Sequence, residues 1–303
     1  MGPPWPHCEF SGLFKSLELI QIRQTMLTIA AVKFPRKQSL KSKFLNIQPL
    51  KMLLAALLLT LGPAPRAAHG ETSKNQLDRC LAGQPGRYVV MAEGSRGGTP
   101  IAQLIQEDWE ANGNINGTAY TRIGKTFQEI PYKGSWHSLP HCLVDVKRQN
   151  NEATSHSRTV LTQQGLPLFG LSQVPGTVLS ERYWRQTSTT CNASSLNGLV
   201  LSQQKGLSWN QGQWQPNAVL QREQWLQGKV QGLALSSYNG TIEQAPYSGS
   251  IDVKPNCMAR LEETDSKGVA YRYQAILLTG RRGYLYLQTD SDDLTLGLLE
   301  HQP

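Results

Sequence analysis

From Arg87 onward the chain reads as short apolar runs cut by Gly, Asn and Pro. Arg87–Ala92 has strand composition and is closed by the turn-rich Glu93–Gly98. Ile101–Ile105 fits a short helix or a strand, because so short a run does not fix its own period. Asn112-Gly113 and Asn116-Gly117 predict turns, since Asn and Gly accept positive φ cheaply. Thr118–Thr121 and Phe127–Ile130 read as strands around Gly124-Lys125. Next, Tyr132, Gly134, Trp136 and Ser138 share one face at period two, and Pro140 breaks the strand. Cys142, Val144 and Val146 then resume the alternation. Thr159–Thr162, Leu168–Leu171 and Val178–Trp184 suggest further strands, followed by Leu199–Leu201, Trp209–Trp214 and Ala218–Trp225. The clearest strands are Ala270–Leu278 and Tyr284–Leu287, with Thr279–Gly283 as their hairpin.

The pattern repeats. Pro131-Tyr132-x-Gly134-Ser135, Pro140 and Cys142 return as Pro246-Tyr247-x-Gly249-Ser250, Pro255 and Cys257, a constant shift of 115 residues. Gly117 and Ala119 map by the same shift to Gly232 and Ala234. Beyond the second copy it sets Ile276 against Leu161, Tyr284 against Phe169 and Leu294 against Leu179. Gln186–Thr190 is a polar bridge, which places the units at 71–186 and 187–303. Seven or eight short strands in about 110 residues leave exposed sheet edges unless each sheet closes. The expected fold is therefore all-β: two small antiparallel barrels in tandem, packed on each other, behind a disordered or helical leader.

Charge adds less than it promises. The net charge is +8, yet residues 1–70 hold nine Lys/Arg and two acids. The rest of the chain is nearly balanced, so no nucleic-acid surface is implied. Residues 1–51 form a basic leader, read as an upstream extension of the true start or a transit-type peptide. Residues 52–70 read as a signal peptide: a basic approach, the apolar Leu53–Leu61 and a small-residue exit before Glu71. That run is too short for a membrane span. Export to the periplasm or outside the cell would permit disulfides, and the repeat favours Cys80–Cys142 and Cys191–Cys257.

The motif Tyr-x-Gly-x-(Trp/Ile)-x-(Ser/Val)-x-Pro-x-Cys, with its late aromatic strand, resembles the allene oxide cyclase barrel-like proteins. These are small calycin-like β-barrels, and Tyr247–Cys257 is the copy most similar to them. The resemblance implies a fold and brings no catalytic residue with it. The first copy departs from it at Ser138, and carries Trp136 and His137 where the second has Ile251 and Asp252.

Candidate chemistry is sparse. His137, His141 and Cys142 stand close together, but they read better as polar residues beside a disulfide than as a zinc site. Asp290, Asp292 and Asp293 lack calcium-loop spacing and read as a solvated turn. Gly134-Ser135-Trp136 is similar to the lipocalin Gly-x-Trp, with a core aromatic as the better reading. No catalytic, cofactor or metal residue is assigned. Tyr132, Gly134, Pro140, Tyr247, Gly249 and Pro255 are read as structural repeat positions. The expected function is an exported, non-enzymatic barrel that binds a small apolar ligand or an envelope partner, or serves a structural role. The alternative is a lipid-acting cyclase or isomerase, with Glu129 or Glu243 as its polar group in an apolar cavity.

Overall fold

The computed structural model describes residues 79–188, 190–238, 240–280 and 282–302. The expected leader 1–51 and expected signal peptide 52–70 lie outside them. The first barrel runs β1 (Gly86–Arg96), β2 (Thr99–Trp109), β3 (Asn114–Ile123), β4 (Thr126–Leu139), β5 (Leu143–Gln149), β6 (Thr154–Leu161), β7 (Pro167–Ser172) and β8 (Thr177–Gln186). The second runs β9 (Gly198–Asn210), β10 (Gln213–Leu226), β11 (Lys229–Tyr238), β12 (Thr241–Val253), β13 (Met258–Asp265), β14 (Ala270–Leu278), β15 (Gly283–Gln288) and β16 (Asp293–His301). Each strand pairs antiparallel with the next, and the last pairs with the first, so both sheets are closed barrels. Closure leaves neither sheet an open edge.

Several local expectations change. Ile101–Ile105 lies within strand β2, and Trp209–Trp214 is the tip of the β9–β10 hairpin. Asn116-Gly117 is not a turn but the middle of β3. The glycine is there for another reason: a Cβ at Gly117 would lie 2.4 Å from the Tyr132 ring, and one at Gly232 would lie 2.3 Å from the Tyr247 ring. Each glycine sits directly across the ladder from its tyrosine, and the phenol lies over it. Gly134 and Gly249 bring neighbouring backbones close, since a Cβ would meet the Lys147 or Glu262 carbonyl at 2.2 Å. Pro140 and Pro255 stand in the turns after β4 and β12, next to the disulfides Cys80–Cys142 and Cys191–Cys257.

The shift of 115 holds only from β3 to the hairpin after β5. Arg148 on β5 corresponds to Glu263 on β13, but from β6 onward the ladders align at 116. One extra residue in the β13–β14 hairpin accounts for it. Leu161 therefore matches Leu277 and not Ile276, and Phe169 and Leu179 likewise do not match Tyr284 and Leu294. A one-residue slip moves a side chain to the other face of the sheet. Leu161 and Leu277 lie in the barrel interiors, whereas Ile276 lies outside, against the other barrel.

The barrels share an apolar contact. Val89, Leu104 and Tyr120 of the first pack with Met258, Ile276 and Leu285 of the second. Each fully buried aliphatic side chain there contributes about 1.5–3 kcal/mol. Polar ties cross the same seam: Gln186 Nε2 donates to the Leu277 carbonyl at 2.7 Å, and Arg122 Nη2 donates to that of Ser291 at 3.0 Å.

Candidate functional site

Both barrels carry charged residues at their centres, on strands whose alternation aims them inward. Glu107-Asp108-Trp109 ends β2, and Glu223-Gln224-Trp225 stands near the end of β10. In each, the indole donates back to the glutamate two residues earlier, at 2.8 Å and 2.7 Å. The repeat tyrosines complete the frame. Tyr132 donates to Glu107 at 2.6 Å and Tyr247 to Glu223 at 2.7 Å. Thus the sequence motif holds a Trp–Glu–Tyr triangle inside each barrel.

From that common frame the interiors diverge. In the first, Arg148 grips Glu107 through two hydrogen bonds, at 2.9 and 3.1 Å. Its remaining donors reach Glu181 at 3.1 Å, Ser157 at 3.1 Å and the Tyr183 hydroxyl at 2.9 Å. Burial pushes the Glu107 carboxyl up, but the guanidinium and three donors outweigh it and hold the group below the usual carboxylate range. Burial likewise disfavours the Arg148 charge, yet Glu107 and Glu181 hold it firmly protonated. This level of the barrel is occupied by an ion cluster in which one guanidinium serves two carboxylates.

In the second barrel Glu263 stands where Arg148 stands in the first. It is 4% exposed and Glu223 is 0% exposed. Glu223 is well served, taking hydrogen bonds from Trp225, Tyr247 and Tyr284, the last at 2.8 Å. Glu263 is not: its buried Oε1 has no donor among the described residues. Its neighbour is the Glu223 carboxyl, with which it forms a hydrogen bond only when one of the two carries a proton. Burial first, and then the Glu223 charge, push the Glu263 carboxyl well above the usual range. Burial also raises Glu223, although its three donors pull the other way. Two like charges at one buried site share a proton in this manner.

Glu263 lines a cavity of about 300 Å³. Tyr247, Tyr273 and Tyr286 wall it, with Gln204, Gln221 and Glu263. Its lining also takes in Tyr238, Glu243, Asp265, Lys267, Tyr271 and Asp293. Lys267, the one lysine or arginine among the lining residues, pairs with Glu243 at 3.0 Å. The cavity is thus aromatic and acidic.

Residues singled out from the sequence are placed as follows. Trp136 stacks on Trp109 with ring centroids 5.2 Å apart and donates to the Glu110 carbonyl, as part of the first barrel's core. Among the described residues no three His, Cys, Asp or Glu side chains form a metal-binding group. The aspartates at 290, 292 and 293 face separate partners: the Arg272 amide, the Lys125 ammonium and the Ser208 hydroxyl. Glu129 is exposed and lies across from Tyr120, on the outer face of its strand. Glu243 lines the second cavity, one residue out of step with Glu129, so the two are not equivalent positions. Both are exposed. The charged residues buried at the barrel centres, namely Glu107, Arg148, Glu181, Glu223 and Glu263, are not marked out by the sequence pattern. The recurring Glu-x-Trp was the available signal.

No family model matches the chain, and no curated protein matches it. Two solved structures show some likeness, MucB in complex with MucA(peri) and the Pseudomonas aeruginosa MucA/MucB complex. Each has 12% identity, covers 75% of this chain and 90% of that chain, and superposes with a TM-score of 0.19. A likeness that loose carries neither fold nor partner across.

Proposed function

We propose that this chain is an exported small-molecule carrier whose second barrel holds the ligand and whose first barrel is a filled companion. The observation that supports it is the 300 Å³ cavity at a level where the other barrel has a closed ion cluster. An eight-stranded barrel is just wide enough to be filled by side chains or to hold one small ligand. The first barrel of this chain is filled by side chains, and the second leaves a cavity. The disulfides are compatible with export, with the mature chain starting at Glu71. The resemblance to allene oxide cyclase barrel-like proteins supports the architecture of this reading and not a cyclase reaction, because Glu129 lies outside its barrel. The lining calls for an amphipathic ligand in preference to an apolar one.

Mass spectrometry of solvent extracts from the purified native protein tests this. A small molecule should be released in a fixed ratio to protein. If extracts are empty and no small molecule raises the melting temperature, the carrier role is wrong and a structural role remains.

A further inference from the structure

A cavity states its ligand's chemistry through the groups it leaves unsatisfied. Glu263 lines this one, is nine-tenths buried, and has no donor for Oε1 among the described residues. The equivalent position in the first barrel shows what satisfies such a site: a cation, supplied there by Arg148 against Glu107. The second barrel keeps the Glu107 counterpart, Glu223, but puts a second carboxyl where the guanidinium stood. It then lines the cavity with Tyr247, Tyr273 and Tyr286. Tyrosine faces attract a cation, and more so when it is desolvated.

We propose that the second barrel's cavity binds a small organic ammonium ion, its charged head against the Glu263 carboxyl and its apolar part among the tyrosines. The proposal rests on the carrier reading above and names the ligand class. At roughly 30 Å³ for each water-sized group, the cavity accommodates about ten non-hydrogen atoms. A bare metal ion would leave most of it empty. The ammonium head also replaces the proton that the two carboxyls share, so binding releases that proton to solvent and both carboxylates end up ionised. The titratable groups around the pair are the buried phenols of Tyr247, Tyr273, Tyr284 and Tyr286, which burial keeps neutral, and Asp265 two residues along β13. The Lys267–Glu243 pair does not offset them, being already matched.

Isothermal titration calorimetry on the full secreted chain at pH 7 tests this, in two buffers with different ionisation heats. The probes are phenethylamine, tetramethylammonium and putrescine, with 2-phenylethanol as the neutral isostere of the first and calcium chloride as the metal control. At least one ammonium probe should bind. If it is phenethylamine, 2-phenylethanol should bind at least tenfold more weakly. About one proton should be released per ammonium bound. Glu263→Gln should weaken binding at least tenfold and abolish proton release. Glu263→Arg should abolish binding by supplying the cation from within. Should Glu263→Arg fail to fold, the Gln variant, nearly the same in shape, still decides. Equal binding of 2-phenylethanol, or ammonium binding without proton release, would overturn the cation while leaving the carrier intact. Calcium binding in place of the ammonium probes would overturn it in favour of a metal. Silence from every probe, with empty solvent extracts, would remove both readings.

Discussion

Glu263→Gln should flatten the pH dependence of stability at neutral pH. The folded carboxyl pair holds a proton that the unfolded glutamates, titrating near the ordinary 4.5, have lost. Both folded values are raised, so this stabilisation is complete below the unfolded value and drains away as pH climbs toward the folded one. One extra proton in the folded state gives a slope of about −1.4 kcal/mol per pH unit. For each pH unit over which the folded pair keeps that proton, the native protein should thus lose about 1.4 kcal/mol relative to the Gln variant. In a body of this size that corresponds to roughly 3–6 °C in melting temperature. In the variant the new amide can donate to Glu223, one more donor pulling that carboxyl down against its burial. Urea unfolding followed by tryptophan fluorescence, at half-unit steps from pH 5 to 8, measures the difference directly. Subtracting the curves cancels every other titrating group. Parallel curves would refute the shared proton and with it the claim that Glu263 lacks a compensating donor.

The first barrel predicts the opposite behaviour at its own core. Arg148→Met strands Glu107 and Glu181 in the interior and should cost about 3–5 kcal/mol; a urea midpoint unchanged from the parent would show that the cluster carries no net stability. Glu107 has a lowered folded value, so its contribution is present above about pH 4.5 and fades as the pH falls through the folded value. Gly117→Ala drives a Cβ into the Tyr132 ring and should destabilise by about 1–3 kcal/mol through overpacking; a loss below about 0.5 kcal/mol in the same assay would mean the ring has room to retreat.

The barrels were legible because their grammar is local. Alternation, turn residues and a repeated Pro-Tyr-Gly-Pro-Cys frame all follow from the period of a strand. The register in the last strands was not legible, for a physical reason. Every residue of β15 from Gly283 to Gln288 is buried, one face in its own barrel and the other against the first. A strand covered on both faces loses its alternation, so the one-residue insertion before β14 left no trace in hydropathy. The site stayed hidden for a related reason. Charged residues on strands ordinarily face water, and Glu107, Arg148 and Glu263 look no different in sequence from Glu129 or Lys147. Only closure of the barrels turns them inward. Two clues were present: Glu-x-Trp in both halves, and a change of sign from Arg148 to Glu263 at the repeat shift.

The divergence between the halves is concentrated at one level of the barrel. Gly170 in β7 faces Glu181 in β8, and a Cβ there would meet the glutamate at 2.7 Å. At the matching place in the second barrel the sizes are exchanged: Tyr286 stands on β15 and Gly297 on β16, where a Cβ would meet the Tyr286 ring at 2.7 Å. Ser157 and Thr159 likewise give way to Tyr273 and Ala275. Around this level the Trp–Glu–Tyr triangle, the Gly–Tyr contact and the disulfide are kept. The same frame therefore supports two interiors, one stapled by ions and one walled by phenols around an unmatched carboxyl. Since the first barrel closes around a guanidinium at this position, the fold does not require the carboxyl pair. A buried carboxyl that costs stability at neutral pH, kept in a cavity the architecture can do without, is accounted for by a bound cation and not by folding.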